Sequence, residues 1–248
     1  METTLKYSMY LEDGHPTFKF NKNNPIPTLL SNVEYNLIEN HLEKYLGKVG
    51  GVYHEHISEI MHLDIIYFMP TKERPYYTFV TAGMSSIPMN IPANTKEDKY
   101  AELVITLPAN WKIGEEDLKD IKNYWPIQLL KDIARYPFKN KSWLGPCHTI
   151  DNESDEELNL YNNSFSGVIL FPNFTLDPEF SKIFINKNKT IKLHSLVPLY
   201  KEEINFKIDN GSEPLFNKFI SKNINEVINL NRLNTCNKKK GLFSIFYR

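Results

Sequence analysis

Apolar positions along the chain first follow a helical period, then alternate, then return to a helical period, and this succession sets the predicted elements. Residues 1–30 are polar and hold Asn21-Lys22-Asn23-Asn24-Pro25, a turn cluster. Ser31 and Glu34 then have the spacing of a capping box. Val33, Leu37, Ile38, Leu42 and Tyr45 form an apolar stripe behind it, and Gly47 suits the C-cap. Residues 52–56, 62–69, 76–82 and 100–107 are rich in β-branched and aromatic side chains, so they are predicted as strands. Turn signals such as Thr71-Lys72-Glu73-Arg74-Pro75 separate them, and the short connections carry no helical pattern, which predicts consecutive hairpins.

A second helix is predicted to open at Trp125-Pro126, with proline at the first helical position, where its missing N–H costs nothing. Ile127, Leu130, Ile133 and Ala134 give its buried face and Pro137 ends it, while a weaker helical turn over 115–124 precedes it. A short strand-like piece follows Trp143 as far as Ile150. Strands over 166–171 and 190–197 and helices over 199–208 and 214–220 complete the pattern. Strands come from both halves and no Gly/Pro/Ser-rich linker divides them, so residues 1–237 read as one domain, followed by a basic and aromatic tail over 238–248.

Composition narrows the function. Hydrophobic residues are 41% and charged residues 24% of the 248, which supports a sizeable core and argues against disorder of the bulk. The net charge of −1 lacks the basic excess of a dedicated nucleic-acid binder. Two cysteines are too few for a disulfide framework. No signal-like N-terminus and no apolar run of about 20 residues is present, so a cytoplasmic protein with no membrane span is expected.

Reactive motifs are scarce. There is no phosphate-binding glycine loop, no Cys-x-x-Cys pair and no His-Glu-x-x-His helix. Gly83-Met84-Ser85 follows a strand as a nucleophile elbow would, yet Ile87-Pro88 stands where the second glycine and helix are needed, so a strand-end turn is expected. His54 and His56, and His62 and Asp64, are pairs spaced by two on probable strands, so each pair shares a face and the four could converge on zinc or iron. Half-exposed polar residues on an edge strand are the simpler explanation, since Glu55 and Glu59 make the whole stretch polar, and no cofactor or resident metal is expected. Cys147 and His148 are adjacent and would point to opposite faces of an extended chain, so a buried structural thiol is expected rather than a nucleophile. Of residues 151–157 five are acidic, namely Asp151, Glu153, Asp155, Glu156 and Glu157; such a run is usually a solvated loop, but it can also steer a basic partner.

Several stretches, in order, resemble the Suppressor of fused family. They are His62-Leu63-Asp64-Ile65-Ile66 continuing through Pro70-Thr71-Lys72-Glu73-Arg74-Pro75 to Ala82-Gly83-Met84-Ser85; Ala101-Glu102-Leu103-Val104-Ile105 with Trp125-Pro126 and Ala134-Arg135-Tyr136-Pro137-Phe138; Trp143-Leu144-Gly145 with His148-Thr149-Ile150; and Leu199-Tyr200-Lys201-Glu202-Glu203 running on to Val227-Ile228-Asn229-Leu230-Asn231-Arg232. The resemblance spans roughly residues 50–232. It implies an α+β fold with a mixed, largely antiparallel β-sheet and flanking helices.

The resemblance also implies stoichiometric binding rather than catalysis. Animal members bind a transcription factor and carry a second domain after this one. This chain stops where that domain would begin, so their regulatory role is not expected to transfer. Stand-alone bacterial members resemble immunity proteins that neutralise polymorphic toxins, some with nuclease domains. The animal proteins grip a peptide strand partly with the segment after the Ala-Arg-Tyr helix. The matching positions here are Tyr136, Trp143 and His148, with Cys147 where an acidic residue stands in the family and a gap one residue shorter. The expected partner is therefore a cognate protein toxin, possibly a nuclease, bound around Tyr136, Trp143, Cys147, His148 and the acidic run. A metal-dependent enzyme using His54, His56, His62 and Asp64, and an intracellular protein-binding adaptor, are the alternatives.

Overall fold

The computed structural model describes residues 27–55, 58, 60–95, 98–152, 160 and 164–237. The predicted tail over 238–248 lies outside the described residues. Among the described residues an eight-stranded mixed sheet has four α-helices packed against it, as the α+β reading expects. Strands β1 (Val49–Tyr53), β2 (Asp64–Phe68), β3 (Tyr76–Ala82) and β4 (Tyr100–Pro108) follow one another as antiparallel neighbours, the predicted hairpins. The later strands are β5 (Thr149–Asp151), β6 (Gly167–Phe171), β7 (Lys182–Asn186) and β8 (Lys189–Leu199). Sheet order is β1-β2-β3-β4-β8-β6-β5, with β7 paired to the first half of β8. The pairing of β4 with β8 is parallel, and it joins the two halves of the chain.

Both faces of this sheet are covered, so β4 is buried along nearly its whole length. On one face Leu103, Ile105 and Leu107 meet Trp125, Leu130 and Ile133 of helix α2 (Ile121–Lys139). On the other, Ile66, Phe68 and Val104 meet Ile38, Leu42 and Leu46 of α1 (Asn32–Leu46). Further along that second face, Ile169, Phe171, Val197 and Leu199 pack on Ile204 of α3 (Lys201–Asn210) and on Leu215 and Phe219 of α4 (Ser212–Ile220). The alternation is the two-residue period of a strand, each neighbour pointing to the opposite face.

Local chemistry explains where the elements start and where the sequence misleads. The Ser31/Glu34 capping box is present, and the Gly47 N–H closes α1 onto the Glu43 carbonyl. Val33, predicted on the apolar stripe, is instead 70% exposed. Helix α2 begins at Ile121, not at Trp125, because the Asp120 side chain accepts the Lys122 amide at 3.0 Å and caps it there. Pro126 therefore sits in the second turn, and Pro137 lies inside the last turn instead of ending the helix. Strand β1 starts three residues earlier than predicted. Gly50 and Gly51 belong to it because the Tyr67 ring lies over them, and a Cβ on Gly51 would fall 2.6 Å from the Tyr67 hydroxyl oxygen. Strand β7 was not predicted.

One buried charge is built into the sheet. Glu102 on β4 is fully buried and accepts hydrogen bonds from the amides of Gly83, Met84 and Ser85 and from the hydroxyls of Thr81 and Ser85, at 2.6–3.2 Å. Burial pushes its carboxyl above the ordinary range, and the Ser85 and Thr81 donations pull against that. Gly83 makes the turn possible: its φ is +145°, and a Cβ there would lie 2.1 Å from the His62 carbonyl oxygen. Gly83-Met84-Ser85 is thus a strand-end turn that solvates a carboxylate, and its serine is buried.

A second buried ion pair holds the C-terminal segment. Arg232 donates to both carboxylate oxygens of Glu203, which is 0% exposed, and to the Pro198 carbonyl at 2.7 Å. Its guanidinium lies 4.7 Å from the Tyr200 ring centroid and 5.3 Å from that of Phe219. Glu203 also accepts the Tyr200 amide, so the same carboxylate caps α3. Among the described residues no helix is long and apolar enough to cross a membrane.

Two substitutions test this packing by chemical denaturation. Trp125, 1% exposed and edge-on to Trp111 at 6.0 Å, should cost about 3–5 kcal/mol as Trp125→Ala. Arg232→Ala should cost a similar amount, about 3–5 kcal/mol, because it strands the Glu203 charge in the interior. A loss below 1 kcal/mol in either would contradict the packing described.

Candidate functional site

The segment after α2 turns sharply and then becomes the edge of the sheet. Asn140 closes the helix through its N–H to the Tyr136 carbonyl, and the Ser142 amide bonds back to Pro137. Trp143 then folds over Gly145, where a Cβ would come within 2.5 Å of the indole, so only glycine allows the ring to lie there. The Trp143 and His148 rings meet edge-on with centroids 4.2 Å apart. Cys147 adopts a left-handed backbone, φ 65°, which puts its amide onto the Leu170 carbonyl at 2.8 Å. His148 leads directly into β5, whose other neighbour is β6; among the described residues the outer edge of β5 has no strand.

Of the predicted contact residues, the structure therefore brings Trp143, His148 and Asp151 into one ledge, with Asp151 at the far end of β5 and 3.9 Å from the Lys201 ammonium. Trp143 and Tyr136 are both half-buried and pack on the large hydrophobic cluster under α2. Cys147 is half-buried and free, so it is not the fully buried thiol expected from sequence. Its left-handed φ replaces the extended geometry on which that expectation rested. Glu153, Asp155, Glu156 and Glu157 lie outside the described residues. Sequence alone did not show that this segment leads into the strand that ends the sheet among the described residues.

Three of the four predicted metal ligands do come together, since β1 and β2 pair so that Tyr53 faces Ile65. They converge as a hydrogen-bonded group. Asp64 Oδ1 lies 3.2 Å from His54 Nδ1 and 3.0 Å from His62 Nε2, and it also accepts the Glu55 amide. His56 lies outside the described residues. Among those described, no group of three or more His, Cys, Asp or Glu side chains is arranged to hold a metal ion. Burial pushes Asp64 up, but its bonds from His54 and His62 outweigh this and hold it at about 2. The bond to Asp64 raises His54.

Ser58 touches His62 Nδ1 at 3.2 Å, which completes a Ser-His-Asp order of contacts. The hydroxyl, however, donates to Glu55 Oε2 at 2.7 Å, a closer and stronger acceptor than the imidazole. Glu55 is itself bound by Arg135 of α2 and by the Leu63 amide. These contacts staple the β1–β2 connection to α2.

A family model described as Suppressor of fused protein (SUFU) matches residues 60–233. An uncharacterised protein of Ureaplasma parvum serovar 3 is 25% identical over 204 residues, covering 80% of this chain and 94% of the relative. The crystal structure of a Suppressor of fused homologue from Neisseria gonorrhoeae superposes with a TM-score of 0.59 at 14% identity, over 82% of this chain and 98% of that one. A chain of the Sufu–Fu complex superposes with a TM-score of 0.54 at 13% identity, over 81% and 91%. At these identities the two structures speak for the fold.

Two measurements check the histidine group. Because the Asp64 bond raises His54 above 6.5, the stability it adds is present below that pH and is lost as pH rises through the raised value. His54→Gln should therefore lower the melting temperature more at pH 5.5 than at pH 8.5; an equal drop at both would contradict the assignment. Asp64, held at about 2 against 3.8, adds stability that is present above 3.8 and fades as pH falls toward 2. Titration of the protein with zinc chloride should leave the melting temperature unchanged; a saturable rise abolished by Asp64→Ala would establish a metal centre instead.

Proposed function

Because the chain belongs to the Suppressor of fused family, we propose that it acts by stoichiometric protein binding, as an immunity protein that neutralises a cognate toxin. The carrying observation is the ledge made by Trp143, His148 and β5, an aromatic pair beside the strand that ends the sheet among the described residues. An open edge offers backbone donors and acceptors to an added strand, and the flanking side chains supply specificity. Trp143 lies at one end and Asp151 at the other, leading into the acidic run over 151–157. A nuclease must display cations to hold phosphates, so an acidic rim next to an aromatic anchor is suited to dock on its active face. Net charge of −1 argues for a local effect and against mimicry by the whole surface. The Sufu–Fu complex supports the reading as a precedent of a protein-bound member.

The test is co-expression with the toxin encoded beside this protein, with growth rescue and association kinetics as readouts. A one-to-one complex and rescue are expected. Trp143→Ala should weaken binding by about 2 kcal/mol, roughly 30-fold, as hot-spot aromatics do. Replacing the five acidic residues of 151–157 by Asn and Gln should slow association several-fold and flatten its dependence on salt, with little change in dissociation. Neither rescue nor binding would end the immunity reading; binding to an unrelated regulatory protein in its place would favour the adaptor.

A further inference from the structure

The parallel junction opens at its carboxyl end. Val104 is the last β4 residue paired to β8, opposite Ser195; Thr106 pairs with Val227 instead, and the Ile228 amide donates to the Thr106 carbonyl at 2.9 Å. The inserted segment leaves two adjoining grooves, of about 670 and 430 Å³, which share Val227, Asn229 and Asn231. Crevices beyond the carboxyl ends of parallel strands, where the chain departs from the sheet, recur as binding places.

The lining has a consistent chemistry. Lys112 and Lys122 stand in the larger groove and Lys222 in the smaller, and among the described residues no Asp or Glu lines either one. Arg232, the remaining cation, is spent on Glu203. Asparagine is the commonest lining residue in both grooves. An asparagine amide carries two N–H donors and an acceptor oxygen, the pair of functions a peptide backbone needs, whereas phosphate oxygens only accept. Asn123 Nδ2 already donates to the Asp117 carbonyl, and the Asn225 and Asn229 oxygens already accept the Val227 and Asn231 amides. Leu230 and Leu233, 40% and 75% exposed, put apolar surface beside the lysines. Trp111 is not free to stack on a base, since its indole N–H donates to the Asn123 carbonyl and its ring packs edge-on against Trp125.

We propose that the joined grooves bind an extended acidic segment of a partner polypeptide. Its carboxylates sit on Lys112, Lys122 and Lys222, its apolar side chains lie against Leu230 and Leu233, and its backbone is read by the asparagine amides. The site is distinct from the Trp143 ledge. Lys122 is in the first turn of α2 and Trp143 follows its last, and a 19-residue helix spans about 28 Å. The protein then carries two docking faces of opposite charge, one on either end of the same helix.

Fluorescence anisotropy of the full chain with a labelled synthetic peptide of repeating Asp-Leu-Glu-Ser tests this. Saturable binding that weakens with salt is expected. It should weaken about tenfold in Lys112→Gln/Lys122→Gln/Lys222→Gln, an exposed triple variant whose melting should match the parent. Trp143→Ala should leave it unchanged, which separates this site from the toxin interface. The charge-reversed variant Lys112→Glu/Lys122→Glu/Lys222→Glu should instead take the peptide in which lysine replaces every acidic residue. Absence of saturation, equal binding by the triple variant, or a single-stranded DNA dodecamer bound as tightly as the peptide would each overturn the proposal.

Discussion

The parallel pairing of β4 with β8 governs how the rest of the chain is arranged. Parallel strands cannot be joined by a tight turn, so the chain must leave β4 at Pro108 and return through a long excursion before β8 can lie beside it. That excursion supplies α2, β5, β6 and β7. Because the junction is buried on both faces, it demands helices on both, and α2 on one side with α1, α3 and α4 on the other meet the demand. Glu102 lies within this pair, opposite Leu193, and a buried carboxylate there is tolerable only because the turn at Gly83 brings three amides and two hydroxyls to it. The C-terminal segment then fills the place where the two strands diverge, and Arg232 fastens it to Glu203 at the start of α3.

Much of this was legible where local chemistry and burial agree. Helix α1 carries its own cap, β3 was predicted to the residue, and the α2 positions Ile127, Leu130, Ile133 and Ala134 are all buried. The misreadings arise where a distant group decides. Gly50 and Gly51 look like a loop because nothing nearby in sequence reveals that Tyr67 will cover them. Pro126 looks like a helix start, but Asp120 had already capped the helix five residues earlier in the chain. Strand β7 is short, with Phe184 70% exposed, and it pairs the first half of β8 along the same edge whose second half is taken by β6.

The candidate site divides in the same way. The spacing of His54, His62 and Asp64 correctly brought them to one place, and the pairing of β1 with β2 explains why. What spacing could not reveal is that Glu55, Ser58 and Arg135 would join them and turn a possible ligand set into a staple between strand connection and helix. The Trp143 segment could be singled out only by resemblance. Its physical content, a ring held over Gly145 and set edge-on to His148 beside the end strand of the described sheet, depends on a sheet assembled from both halves of the chain.

The proposed binding role accords with how the polar side chains of the described residues are used. Catalytic groups are left with an unfilled lone pair or a proton to move, and their environments hold them ready for it. Here Glu55, Glu102 and Glu203 accept from several protein donors each, and Asp64 is held by two imidazoles and an amide. These carboxylates fix turns, cap a helix and tether segments; their acceptor capacity goes into the fold. The chemistry left at the surface is of a different kind, an aromatic pair leading to Asp151 at one end of α2 and lysines among amides at the other. A sheet whose buried carboxylates are held by the fold can vary its partners by changing a few exposed residues, while Glu102, Gly83, Glu203 and Arg232 keep the scaffold the same.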